Sequence, residues 1–110
     1  MTKKLVRDKI PEIIKKETGK VPKYRVAPSQ EVSYWLIKKI VEEVKEAKEA
    51  IKAGDPRQIA LELADIQTAL DALILSQKQS ASSIQKLKSK RKKERGGFTK
   101  RIIMDFPKDS

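Results

Sequence analysis

Two neighbouring stretches of this chain place acidic pairs against helix faces that ought to be dry, and that conflict constrains everything else. The pairs lie in Glu42-Glu43-Val44-Lys45-Glu46 and in Glu62-Leu63-Ala64-Asp65. An α-helix turns about 100° per residue, so positions three apart share a face. With Leu36 as the reference direction, Val32, Ile37, Ile40, Val44, Ala47 and Ile51 fall in one apolar arc, from roughly −40° to +100°. Glu43 falls inside that arc and Glu46 just beyond its edge. In the following stretch Ile59, Leu63, Ile66, Leu70, Leu73 and Ile74 form a second arc. Glu62 lies on its margin, with Asp65 further round.

A buried carboxylate without a partner is costly, or it takes up a proton. Lysines can answer some of this charge through i,i+4 pairs on the solvent side, which accounts for Glu42 and Glu49. No Lys or Arg shares the apolar arcs, so Glu43 and Glu62 are expected to meet a bound cation. The chain has no Cys and no His, the usual ligands of zinc, copper and iron. Carboxylates alone suit Mg²⁺, with Mn²⁺ as a substitute, and Mg²⁺ characteristically meets substrate phosphates. The spacing therefore points to phosphate chemistry.

At 110 residues the chain is expected to be one domain, residues 1–110. We read residues 1–28 as a basic N-terminal arm, 29–77 as the metal-binding helix pair, and 80–110 as a basic C-terminal helix and tail. The expected fold is all-α: an antiparallel helix hairpin with short flanking helices. Two long helices cannot enclose their own apolar arcs, so homo-oligomerisation into a bundle is the natural remedy. Leu61, Ala72 and Leu75 form a second apolar set suited to a subunit contact. The net charge of +11 favours anionic partners. No apolar run is long enough to span a bilayer and no signal peptide is visible, so no membrane partner and a cytoplasmic location are expected. Many Lys and Glu, with no Asn, hint at a thermophilic source.

In the arm, Asp8 is expected to cap a short helix carrying Ile10, Ile13 and Ile14 and ending at Gly19. Arg7 and Lys9 beside that helix start would suit a phosphate, Arg7 the better through bidentate geometry. Residues 21–28 read as extended loop with a short strand at Tyr24 to Val26. Ser29 is expected to cap a helix that runs to Ala53 and stops at Gly54. Trp35, on its flank, is a candidate for base stacking, though a helical Trp is more often packed. Asp55, Pro56 and Gln58 read as cap, first helical residue and capping box of the next helix. The short break between the two makes them antiparallel neighbours, so the acid pairs face each other. A last helix follows Ser80 to about Arg95 and ends at Gly96-Gly97. Its residues 86–95 hold seven basic side chains against one acidic. Residues 98–106 read as a short strand or a packed tail.

The acids Glu42-Glu43-x-x-Glu46 followed by Glu62-x-x-Asp65 resemble the motif of the MazG-like nucleoside triphosphate pyrophosphohydrolases. The opening Lys4-Leu5-Val6-Arg7-Asp8-Lys9-Ile10-Pro11 and the closing Arg95-Gly96-Gly97-Phe98 resemble a small single-domain branch that clears non-canonical nucleotides. The resemblance implies an all-α dimer or tetramer and Mg²⁺-dependent hydrolysis between the α- and β-phosphates, giving a nucleoside monophosphate and pyrophosphate. It implies Glu43, Glu46, Glu62 and Asp65 as metal ligands and Glu42 and Glu43 as catalytic residues, with Glu42 either a group supporting the metal ligands or a base for the attacking water. Arg95, with Lys92 one turn before it, would contact the triphosphate. Gln67, Thr68 and Ala69 stand where many relatives carry a further polar ligand.

Two other functions fit parts of the chain. Phosphoribosyl-ATP pyrophosphohydrolase of histidine biosynthesis shares the acid pattern, but the N-terminal block and the Arg-Gly-Gly-Phe ending argue against it. A basic nucleic-acid-binding helical dimer would use residues 86–95 and show strong salt dependence. That reading gives Glu43 and Glu62 no purpose, so nucleic acid is not the expected partner.

Overall fold

A computed structural model describes residues 2–107. Among them all regular structure is helical: α1 (Ile10–Thr18), a single 3₁₀ turn (Ser29–Glu31), α2 (Val32–Ala53), α3 (Pro56–Ser76) and α4 (Ala81–Arg95). The chain divides into two compact units, Met1–Gln79 and Ser80–Ser110. No described helix is long and apolar enough to cross a membrane.

Several helix ends differ from expectation for identifiable reasons. Asp8 does not cap α1; Lys9 occupies the cap position and no side chain caps the helix. Asp8 would need the amide of Ile10 or of residue 11. The first already donates to the Arg7 carbonyl at 3.0 Å, and Pro11 has none. Ser29 likewise does not cap α2. The amide of Glu31 bonds the Pro28 carbonyl, and that of Val32 bonds Ser29's own carbonyl, so a 3₁₀ turn has consumed both donors. The strand expected at Tyr24 to Val26 is absent, and residues 98–106 form no strand either. Neither segment has a neighbouring strand among the described residues, and a lone strand cannot satisfy its backbone. The tail is not packed: Phe98, Ile102, Ile103, Met104 and Phe106 are exposed.

The junction of α2 and α3 follows the sequence closely. Gly54 takes the left-handed conformation, φ 69°, and its amide returns to the last turn of α2. The Asp55 carboxylate accepts from the Gln58 amide at 3.1 Å, and Pro56 opens the helix. A Cβ at position 54 would meet nothing within 4 Å, so Gly54→Ala should cost only the left-handed strain. We expect about 1–2 kcal/mol, measured as a fall in the denaturation midpoint.

α2 packs against α3. The buried positions are Leu36, Glu43, Ala47 and Ala50 on α2, with Glu62 and Ala69 on α3. This line of contact is turned toward the acids relative to the apolar arcs. Ile37, Val44, Ile51, Leu63 and Leu70, all expected to be covered, are exposed together with Val41, Leu61 and Leu75. Side-chain size sets how near two helix axes can come. The alanines allow close approach along the acid-bearing line, which the bulkier flank would prevent. The apolar core is consequently small, and among the described residues no large side chain is fully buried.

Candidate metal centre

The packing of α2 on α3 carries three acids to one point. Glu43 from α2 meets Glu62 and Asp65 from α3, and one carboxylate oxygen of each lies within 4.8 Å of the others. Glu43 is 5 % exposed and Glu62 6 %. The Oε2 atoms of both are buried with no hydrogen-bond donor. Two orphaned carboxylate oxygens in one cluster call for a positive charge beside them. An all-oxygen donor set with no Cys or His fits a hard divalent cation. The residues present therefore fit a metal of the Mg²⁺ type.

Glu46 lies outside that triplet but stays close to it, half-buried, one turn beyond Glu43. Burial pushes its carboxyl up, and the neighbouring Glu62 adds to the effect. Glu43 is pushed up to about 7, first by burial, then by Glu62 and Glu46, with Lys39 opposing. Glu62 moves the other way, held down by Glu43 and by the Gln58 amide. In the absence of a cation, a proton on Glu43 is thus the charge that reconciles the pair. Gln58 Nε2 donates to Glu62 Oε1 at 2.7 Å. The expected capping box is therefore half formed: the backbone amide of Gln58 takes the Asp55 cap, while its side chain turns forward to steady Glu62.

Basic side chains line the open side of the cluster. Arg7 Nη2 donates to Asp65 Oδ1 at 2.7 Å, and Lys4 Nζ to Glu42 Oε1 at 3.0 Å. Glu42 also raises the pKa of Lys4. Lys39 Nζ lies 3.4 Å from Glu43 Oε1 and 4.0 Å from Glu42 Oε2. It does so from outside the apolar arc, so Glu43 has a partial counter-charge that the arcs alone do not supply. Lys39 stands one turn before Glu43, and the i,i+4 rule could have found it. The same rule could have found Gln58 beneath Glu62. Lys4, 38 residues from its partner Glu42, carried no local signal. Val6, Arg7, Ile10, Lys39, Glu43 and Asp65 together line a cavity of about 230 Å³.

Other expected site residues are placed elsewhere. Lys9 is exposed at the start of α1. Trp35 is half-buried, packed edge-to-face on Tyr34 with ring centres 5.3 Å apart. Lys38 lies 5.4 Å above each of the two rings. Trp35 precedes Glu42 by two helical turns, roughly 10 Å along the axis. Lys92 and Arg95 belong to the second unit, in the last turn of α4. There Arg95 borders a pocket of about 450 Å³ with the segment from Gly96 to Ile102.

The fold and site define a small all-α scaffold in which two helices carry acids to one point. The chain belongs, more particularly, to the MazG nucleotide pyrophosphohydrolase domain family, whose pattern it matches over residues 33–94, more than half its length. That match covers α3, nearly all of α2 and most of α4, and so contains all the acids of the cluster. No curated protein and no solved structure matches the chain.

Proposed function

We propose that this protein hydrolyses nucleoside triphosphates to nucleoside monophosphate and pyrophosphate with Mg²⁺, and that non-canonical nucleotides are its substrates. The observation that carries the proposal is the pair of donorless, buried oxygens on Glu43 and Glu62 inside a MazG domain. We assign Glu43, Glu46, Glu62 and Asp65 to hold the metal, which supplies charge neutralisation on phosphate oxygens and acidifies a water. Gln58 keeps Glu62 oriented. Glu42 stands outside the triplet, is not consumed by it, and is assigned to orient the attacking water and take its proton. The water oxygen forms a bond to the α-phosphorus as the bond from that phosphorus to the bridging oxygen breaks. Arg7 meets the growing charge on the departing pyrophosphate, with Lys9 as a further cationic contact. Trp35 is assigned to the base.

The helix pair is an antiparallel hairpin in this reading, since α2 and α3 pack together across only two linking residues, Gly54 and Asp55. Rotation of two antiparallel right-handed helices then sends Ile37, Val44, Ile51, Leu63 and Leu70 to one side and the acids to the other. A small core beside a wide exposed apolar side favours a homodimer or homotetramer that covers it.

The test is release of pyrophosphate from a panel of canonical and modified nucleoside triphosphates, with Mg²⁺ and with chelator. Turnover is expected with Mg²⁺ alone. Phosphoribosyl-ATP as the sole substrate would transfer the protein to histidine biosynthesis. Tight, salt-dependent DNA or RNA binding with no turnover would leave the basic helix as the functional element.

A further inference from the structure

We infer that Lys39 contacts the polyphosphate of the substrate, and that the cavity beside it seats the diphosphate portion that leaves. The inference rests on the proposed pyrophosphohydrolase activity. Lys39 stands on the same helix as two of the acids, and its amine reaches both Glu43 and Glu42. It is one quarter exposed, so it lies at the rim of the cluster and not within it. A lysine ammonium offers three donors and tolerates several geometries. Two of its present acceptors are carboxylate oxygens at 3.4 and 4.0 Å, both long for a charge-assisted bond. Once a divalent ion answers Glu43, Lys39 loses its purpose as a counter-charge and is repelled by the new cation. The cavity it lines is the space open to it.

Glu43, Asp65, Lys39 and Arg7 all line that cavity with Val6 and Ile10, each cation beside one of the acids: Arg7 on Asp65 and Lys39 near Glu43. An anion seated there would lie between the carboxylates that would hold the metal and the two cations released from them. The volume, about 230 Å³, falls below the roughly 300–1,000 Å³ of pockets that enclose a drug-sized ligand. It suits a diphosphate and is too small for a whole nucleotide, whose nucleoside must extend outside it. The arrangement favours the departing group, because the negative charge that develops on the diphosphate falls beside Lys39 and Arg7.

The experiment measures binding of inorganic pyrophosphate in Mg²⁺ by calorimetry for the wild type, Lys39→Met and Lys39→Arg. Binding of Mg²⁺ alone and kcat/KM are measured beside it. Lys39→Met is expected to weaken pyrophosphate roughly tenfold to a hundredfold, the usual range for a lost charge-assisted hydrogen bond. Its Mg²⁺ affinity should hold or rise, and Lys39→Arg should recover most of the pyrophosphate affinity. Unchanged pyrophosphate affinity in Lys39→Met overturns the inference, as does a loss of Mg²⁺ affinity equal to the loss of pyrophosphate affinity. Lys39→Gln carries the same comparison if the methionine variant disturbs folding. A wild type that releases no pyrophosphate from any triphosphate refutes the proposed activity itself. An active wild type with an indifferent Lys39 refutes only the role assigned here.

Discussion

Glu43→Gln and Glu62→Gln are each expected to lower kcat/KM by well over a hundredfold while leaving the protein folded. Substitutions that merely support a metal ligand typically cost about 10–100-fold, so loss of a ligand charge at the centre of the cluster should cost more. The two side chains are buried at the helix contact, and the Oε2 atom of each lacks a donor. Glutamine keeps the volume and removes the charge, so the packing of the helix contact should survive. Without metal, the amide that Glu43→Gln introduces would also donate to Glu62, where wild type must place a proton. The metal-free variant is therefore expected to melt no lower than the metal-free wild type, and about 1 kcal/mol higher in stability if the new bond forms well. Rate and stability should move in opposite directions, the pattern of a site that sacrifices stability for function. Wild-type rates in either variant would remove the acid cluster from the chemistry. A collapse of the fold in both would make the acids structural.

Much of this centre is legible from residue spacing, because a helix fixes angular position so firmly. Glu43, Glu62 and Asp65 meet, and a three-residue spacing within each acid pair with a short Gly-Asp-Pro break between the helices is sufficient to foresee it. The direction of the helix contact is not legible to the same degree. Hydrophobicity alone sets the apolar arcs and would place Val44 and Ile51 inside. Side-chain size decides instead, drawing Ala47, Ala50 and Ala69 together and turning the bulky flank outward. Helix starts fail for a different reason. Asp8 and Ser29 are good capping residues, but the amides they would serve are missing at Pro11 or already taken by backbone carbonyls. Lys4 and Arg7 are beyond local rules, since their acidic partners lie 38 and 58 residues away.

Magnesium should raise the melting temperature strongly, and the more so at higher pH. A ligand at about a hundred times its dissociation constant stabilises the folded state by roughly 2.7 kcal/mol. For a domain near this size each kcal/mol shifts the midpoint by about 4–8 °C, so the expected rise is roughly 10–20 °C. The pH dependence follows from Glu43, whose carboxyl is raised from 4.5 to about 7, chiefly by burial. The folded chain holds that proton where the unfolded chain has released it. The stabilisation this provides is complete below pH 4.5 and is lost as pH rises through about 7. Glu46, also raised, acts in the same direction, while Glu62, lowered, contributes stability that is already complete at both pH 6 and pH 8. Metal-free protein should accordingly melt higher at pH 6 than at pH 8. Protons and metal compete for the same oxygens, so saturating Mg²⁺ should add least at pH 6 and most at pH 8, with proton release on binding near neutrality. Scanning calorimetry at both pH values, with Mg²⁺ and with chelator, reads all of this at once. Glu43→Gln should flatten the metal-free pH dependence and remove most of the Mg²⁺ response. A midpoint at pH 8 indifferent to Mg²⁺ would mean that the buried charge is balanced by something other than a divalent ion.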